Sequence, residues 1–403
     1  MKAGIRVSQR TWRWALAITS VVSLIVAVGA AVAEHGPIGK PAVDPNLTSY
    51  NATREVAGSL KLAGSDTMQP ILSRLAKEFR RYHPNALLSI EGGGSSAAVK
   101  EFLDIPPRSK SVSQSKPDEP VLLVASSRVL SASEVKQFTS KRGYQPTALP
   151  VAVDAVGVYV HRDNPLAHLT LEQVDAMFST TRHRGYPYEL KRWGQLGVKN
   201  GWEMTSINLY GRDQKSGTRA FIKEHVLENG EFTVAVHEEP GAASVILALS
   251  RDPFGIGYSG IGLQASTVRA VPLAEKEGMP YVSPSAESVM DESYPLRRFL
   301  YLYADKSPKA PLPVLAEEFL AFINSREGQE AVIKAGFYPL PPKQVQQSLA
   351  ASPCRAADSE QDVEKGRQLC SRIAQMLNVL RVRLASSLAA AAPDGLFEHP
   401  WER

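Results

Sequence analysis

The sequence predicts an α/β protein with largely parallel sheets. Short runs rich in β-formers recur between Ser59 and about Pro341, and each is closely followed by a segment with helical spacing of apolar residues. The composition, 43% hydrophobic and 22% charged, is that of an ordinary globular chain and excludes wholesale disorder. At 403 residues the chain is long enough for two or three domains with ample core.

In chain order, residues 1–33 read as a secretory signal. A basic stretch ending at Arg13 precedes an uncharged apolar run, Trp14 to Val32, and Ala31-Val32-Ala33 fits a small-x-small cleavage site before Glu34. The alternative is an uncleaved anchor, because Trp14 to Ala33 is long enough to span a bilayer. Residues 34–58 form a Pro/Asn/Thr-rich lead. Strands are expected at Leu60–Ala63, Ala86–Ile90, Val121–Ala125, Ala148–Val153 and Ile207–Tyr210. After Pro70, Ile71, Leu72, Leu75 and Phe79 share one helical face. Ile105 to Pro120, with four Pro and four Ser, reads as a mobile surface loop. Beyond Pro342, Val363, Gly366, Cys370, Ile373, Leu377, Leu380, Leu384 and Leu388 form a heptad-like seam on a helical extension, 343–403, which packs on its own domain or self-associates. The two cysteines, Cys354 and Cys370, lie in that tail, where they close an internal disulfide loop or pair between chains.

Formal net charge is +5, yet Lys2, Arg6, Arg10 and Arg13 supply most of it, and the rest of the chain is within one charge of neutral. A nucleic-acid binder needs a concentrated basic face, so no nucleic-acid partner is expected. The short clusters Lys141-Arg142 and Arg182-His183-Arg184 read as solvated surface.

Three loops share one composition. Gly64-Ser65-Asp66-Thr67-Met68, Glu91-Gly92-Gly93-Gly94-Ser95-Ser96 and Gly211-Arg212-Asp213-Gln214-Lys215-Ser216-Gly217-Thr218 each join an expected strand to an expected helix. Each delivers glycine and small hydroxyl residues to a helix N-terminus, where unpaired N–H groups and the positive end of the dipole favour an anion. Any one of them alone does no more than cap a helix. Three in one chain, one carrying the forked donors of Arg212, point to an oxyanion site.

These loops, with Ser126-Ser127-Arg128, resemble the motifs of exported phosphate-binding proteins of ABC importers. Asp154-Ala155-Val156-Gly157-Val158, Asn164-Pro165, Leu169-Thr170-Leu171, Gly257-Tyr258-Ser259-Gly260, Tyr294-Pro295-Leu296 and Glu327-Gly328-Gln329 agree, so that the likeness covers about residues 59–341. The resemblance implies a two-lobed, type II periplasmic-binding-protein-like fold, with a mostly parallel sheet flanked by helices in each lobe. Lobe 1 would comprise 59–149 and 259–342, and lobe 2 would comprise 150–258. It implies inorganic phosphate as ligand, an ABC permease in the inner membrane as partner, a periplasmic location, no cofactor, no metal and no enzymatic activity. Matched residue by residue, Thr67 offers its N–H with Ser65 or Asp66 alongside, Ser95 its hydroxyl, and Arg212, Ser216, Gly217 and Thr218 complete the cradle, with Ser127 beside them. Many members carry an Asp where this chain has Ser127-Arg128; that carboxylate accepts the proton of hydrogen phosphate and repels sulfate. Here Asp66 is the acceptor or a simple helix cap, and Arg128 is a second cationic contact or a hinge ion-pair partner. Sulfate, molybdate or another oxyanion is the alternative ligand, and a secreted scaffold on the same fold is the alternative function.

Other chemistries are set aside. Gly255-Ile256-Gly257-Tyr258-Ser259-Gly260 matches G-x-G-x-x-G but lacks a clear preceding strand and a following amphipathic helix. His225, nine residues after Ser216, falls across the helix from that loop. The eight histidines show no metal-binding spacing.

Overall fold

The computed structural model describes residues 41–52, 54–105, 121–263, 265–308 and 311–351. The signal, most of the 105–120 insertion, both cysteines and the heptad seam lie outside the described residues.

Among the described residues the strands are β1 Gly58–Gly64, β2 Ala86–Glu91, β3 Val121–Ser126, β4 Thr147–His161, β5 Leu169–Thr170, β6 Asn208–Arg212, β7 Val236–Glu239, β8 Gly255–Gly260, β9 Val268–Ala270, β10 Leu273–Ala274 and β11 Arg297–Ala304. The helices are α1 Gln69–Phe79, α2 Ser95–Asp104, α3 Ala132–Arg142, α4 Leu171–Phe178, α5 Gly217–His225, α6 Ala242–Leu249, α7 Ala286–Met290, α8 Val314–Ile323, α9 Arg326–Lys334 and α10 Pro342–Ala351. The α/β class and the expected strand positions hold.

Nine strands form one sheet in the order β2-β1-β3-β11-β4-β8-β6-β7, with β9 on β4. Its two ends are parallel, β2-β1-β3 and β8-β6-β7. The middle is antiparallel, because β11 runs against both β3 and β4, and β4 runs against β8 and β9. β4 is the long shared member. Its first part pairs with β11 and its last part with β8, and it is buried without a break from Leu149 to Val160. A strand covered on both faces reads as a continuous apolar run. Where Pro150 faces Tyr301 the register slips by one residue, and a bulge is the place where a sheet tolerates a residue with no N–H.

Each end of the sheet has its own core. Leu60, Leu62, Leu123, Leu149, Val151, Leu300 and Leu302 pack on α1, α8 and α9 through Ile71, Leu75, Phe79, Phe319, Phe322 and Val332. Val156, Val158, Met177, Phe178, Trp193, Ile222, Ile256, Tyr258, Leu273, Val289 and Leu296 form the second core. Residues from Ile261 to Leu296 thus pack with the second core, and the chain returns to the first along β11.

Local signals explain most helices. Pro70 stands at the start of α1, whose Ile71, Leu72, Leu75, Ala76 and Phe79 are buried on one face. Ser131 and Glu134 form a capping box on α3, which stops at Gly143 in the left-handed region. The described part of the lead packs on the first core: Tyr50 is buried edge-to-face against Phe322 and donates its hydroxyl to Glu318 Oε2 at 2.9 Å. Two basic clusters are not merely solvated. The Arg142 side chain is fully buried over the Phe138 ring and paired with Asp305 at 2.7 Å, and Arg184 pairs with Glu275 at 2.7 Å.

Phe79, fully buried among Tyr50, Phe319 and Phe322, anchors the first core. Phe79→Ala is expected to lower the unfolding free energy by about 3–5 kcal/mol, with an unchanged denaturant slope in urea unfolding.

Candidate functional site

The three loops meet where the two ends of the sheet face each other. Strand β1 ends at Gly64 and passes through a single 3-10 turn, Asp66–Met68, into α1. Strand β2 runs through Gly92–Gly94 into α2, and β6 ends at Arg212 ahead of α5. Ser65, Thr67, Ser95, Ser127, Arg212, Ser216 and Thr218 are all buried.

Contacts across the junction are close. Thr67 Oγ1 lies 3.2 Å from Thr218 Oγ1, and the Ser96 N–H donates to the Lys215 carbonyl at 3.0 Å. Gly94 has φ +91°, and a Cβ there would stand 2.3 Å from the Lys215 carbonyl oxygen, so only glycine fits. A Cβ on Gly217 would meet Ser95 Oγ at 2.5 Å and Ser127 Oγ at 2.6 Å. The backbone at Gly217 is therefore pressed directly onto two serine hydroxyls.

Hydrogen-bond direction gives the site its character. The Ser216 hydroxyl oxygen accepts the N–H groups of Thr218 and Arg219 as the cap of α5. Ser95 Oγ accepts the Ser127 N–H at 3.1 Å and lies 3.2 Å from Ser127 Oγ. Thr218 Oγ1 accepts from Arg298 Nη2 at 3.1 Å. A hydroxyl has one proton to give, and in these three that proton points away from the donor behind it, toward Ser127 Oγ or Thr67 Oγ1 in the case of Ser95 and Thr218, or toward a ligand. The Gly217 N–H stands in the first turn of α5, ahead of the intrahelical ladder. Such a surplus of donors suits a group made of acceptors.

Arg212 is the cationic member. It is 1% exposed, and its Nη2 donates to Asp66 Oδ2 at 2.9 Å and to the Pro240 carbonyl at 3.1 Å. Its backbone N–H donates to the Tyr258 hydroxyl at 3.3 Å, and burial pushes that phenol up to about 12. Asp66 therefore bridges the two ends of the sheet: its other oxygen accepts the Gly93 N–H at 3.0 Å, and no cap bond runs from a side chain to its own 3-10 turn.

Arg128 makes an ion pair, but a local one within the first lobe and not across a hinge. Its two terminal nitrogens grip both oxygens of Glu134 at 2.7 Å each, which fastens the turn after β3 to the start of α3. The glycine run Gly255–Gly260 is itself strand β8, fully buried, rather than a loop. His225 ends α5, exposed, with its ring 4.3 Å from that of Phe221.

Two residues that sequence reasoning did not assign to the site stand behind it. Asp154, fully buried in β4, faces Arg298 of β11 as a direct cross-strand partner. Arg298 Nε and Nη2 donate to Asp154 Oδ2 at 2.9 and 2.8 Å. The available signal was a carboxylate inside an apolar run, and an arginine inside another.

The three loops converge on one junction of this sheet, and the chain belongs to the PBP superfamily, whose domain matches residues 49–327. It is similar to the phosphate-binding protein PstS of Pseudomonas aeruginosa, with 39% identity over 308 residues, 76% of this chain and 91% of that protein. Among solved structures, a phosphate ABC transporter substrate-binding protein with bound phosphate from Clostridium perfringens shares the fold, with TM-score 0.56, 23% identity, and coverage of 70% of this chain and 100% of that one. An ABC-type phosphate transport receptor from Vibrio cholerae is also similar, with TM-score 0.51, 19% identity, and coverage of 70% and 100%.

The Arg128–Glu134 pair generates a pH prediction. Burial opposes the Glu134 charge, but bonds from Arg128 and Ser131 outweigh it and hold the carboxyl below its usual range. Because the folded pKa is depressed, the pair's contribution is present above the ordinary carboxylate pKa and is lost as pH falls through the lower folded value. Glu134→Gln is expected to destabilise by about 1 kcal/mol at neutral pH and by much less in acid below that range, read by urea unfolding at both pH values.

Proposed function

We propose that this chain is an exported solute-binding protein that takes inorganic phosphate between two lobes and hands it to an ABC permease in the inner membrane. The observation that carries the reading is the convergence of Thr67, Ser95, Arg212, Ser216, Gly217 and Thr218 on one buried junction. Ser65, Asp66 and Ser127 complete the surroundings. The names of its relatives support phosphate as the ligand. Residues 1–33 act as the export signal.

In this reading the two lobes correspond to the two cores. Lobe 1 comprises 59–149 with 297–342, and lobe 2 comprises about 154–296. This differs from the division expected from the resemblance, in which the chain returns to lobe 1 at 259. Binding works through closure of the lobes over a dehydrated anion, and release through their opening. Function is capture and release, with no covalent step.

Ser127 in place of an aspartate favours one competing reading, a broader oxyanion specificity. The two are separated by thermal unfolding of the protein stripped of ligand by partial denaturation, with phosphate, sulfate or molybdate at matched ionic strength. An anion at about 100 times its Kd adds roughly 2.7 kcal/mol of stability. A selective rise in Tm with phosphate is expected; an equal rise with sulfate gives the broader specificity, and no rise with any anion overturns the anion reading. Competition between phosphate and sulfate from about pH 5 to 8 adds a second check, since phosphate changes protonation in that range.

Arg212→Ala, and the Ser216→Ala/Thr218→Ala pair, are each expected to weaken phosphate binding at least about tenfold in titration calorimetry while the far-UV spectrum is retained.

A further inference from the structure

The Asp154–Arg298 pair is built at a cost that core stability does not explain. Arg298 is 5% exposed and Asp154 is fully buried. Both guanidinium bonds go to one carboxylate oxygen; the backbone N–H groups of Ala155 and Ile261 lie close enough to favour the carboxylate charge, but Arg298 Nη1 is buried with no hydrogen-bond partner among the described residues. Burial pushes the Asp154 carboxyl up even beside Arg298; it pushes the Arg298 guanidinium down, and the nearby charge of Arg212 adds to that. A half-satisfied buried ion pair is a poor stabiliser, and well-packed apolar residues in its place are often neutral or better.

Beyond the pair, Arg298 makes one hydrogen bond among the described residues, from Nη2 to Thr218 Oγ1 at 3.1 Å. A guanidinium only donates, so the Thr218 oxygen must accept, and its own proton is turned elsewhere. In that other direction stands Thr67 Oγ1 at 3.2 Å. Gly260 closes the arrangement. A Cβ there would lie 3.0 Å from Thr67 Cγ2, 3.3 Å from Asp154 Oδ2 and 3.6 Å from Arg298 Nη2, so the charge pair and Thr67 pack around one bare backbone position.

We propose that Arg298, clamped by Asp154, is a positioning residue of the oxyanion site that fixes the Thr218 hydroxyl as a donor into the cleft. The bound anion then competes with Thr67 Oγ1 for the Thr218 proton. Asp154 acts one step further back, by fixing the guanidinium. This inference rests on the anion-binding reading and assigns that site a set of supports on β4 and β11, outside the three loops.

The test measures inorganic phosphate affinity by titration calorimetry for the full chain. Variants are Asp154→Asn/Arg298→Met, which removes both charges, and Thr218→Val, alone and in that background. The charge-free protein is expected to unfold near the wild-type temperature yet to bind phosphate about tenfold more weakly, the worth of one charge-assisted hydrogen bond. Thr218→Val is expected to weaken wild type by a similar factor and to add nothing in the charge-free background, because the two changes remove one interaction. Full affinity in the charge-free protein, or equal losses from Thr218→Val in both backgrounds, overturns the proposal. Where the charge-free protein does not refold, Arg298→Lys is read instead: it keeps the charge and loses the fork. A loss of at least about threefold that disappears in a Thr218→Val background supports the proposal, and unchanged affinity overturns it. Absence of phosphate binding in the wild type would overturn the anion reading itself, a result distinct from either of these.

Discussion

The organisation of this protein depends on keeping two arginines out of water. Arg212 and Arg298 are almost fully buried, and an unpaired guanidinium in such a place would cost several kcal/mol. Each is answered by a carboxylate from a different element. Asp66 reaches Arg212 from the loop after β1, at the far end of the sheet, and Asp154 reaches Arg298 from the adjacent strand. The first pairing binds the two ends of the sheet across the cleft. The second fixes the strands that both cores share. Two arginines and two aspartates together leave the junction without net charge, so attraction for an anion falls to oriented dipoles: helix N-termini, backbone N–H groups and hydroxyls.

Those dipoles are oriented because each hydroxyl is engaged from behind. Ser216 is held by two N–H groups of α5, Ser95 by the Ser127 N–H, and Thr218 by Arg298. Asp66 is the counterweight in this donor-rich setting. It already accepts from Arg212 and from the Gly93 N–H, yet a carboxylate offers about four lone-pair sites, so capacity remains to accept from a protonated oxyanion. An anion without a proton meets the same lone pairs as repulsion.

Much of this was legible in the sequence, and what was not has a common physical cause. The strand positions followed from short apolar runs, and the site loops from glycine and hydroxyl residues next to helix starts; both are local signals. β4 was expected to stop at Val153 because Asp154 breaks the apolar run. It continues to His161 because Arg298, 144 residues later, neutralises that break. The Gly255–Gly260 run carries little intrinsic β-propensity and becomes a strand by pairing with β4 and β6. The second core extends to Leu296, whereas the resemblance suggested a return near 259, because packing of α7 and Tyr294 is decided by shape rather than by motif. The roles of Asp154 and Arg298 escaped for the same reason, since a buried pair is visible only when both strands are in register.

The contacts that join the two ends of the sheet explain how closure can depend on ligand. Each end owns an apolar core, whereas the junction is made of small polar groups: Thr67 on Thr218, Gly217 on Ser95 and Ser127, Ser96 on Lys215, Asp66 on Arg212. Closing such a junction buries little apolar surface, so the hydrophobic effect contributes little to it. The hydrogen bonds across it replace bonds to water and so add only modestly. A tetrahedral oxyanion that accepts from both sides at once has differential affinity for the closed arrangement, which is the condition for a ligand to shift a conformational equilibrium. The small, polar make-up of the junction is therefore what leaves room for the anion to decide closure.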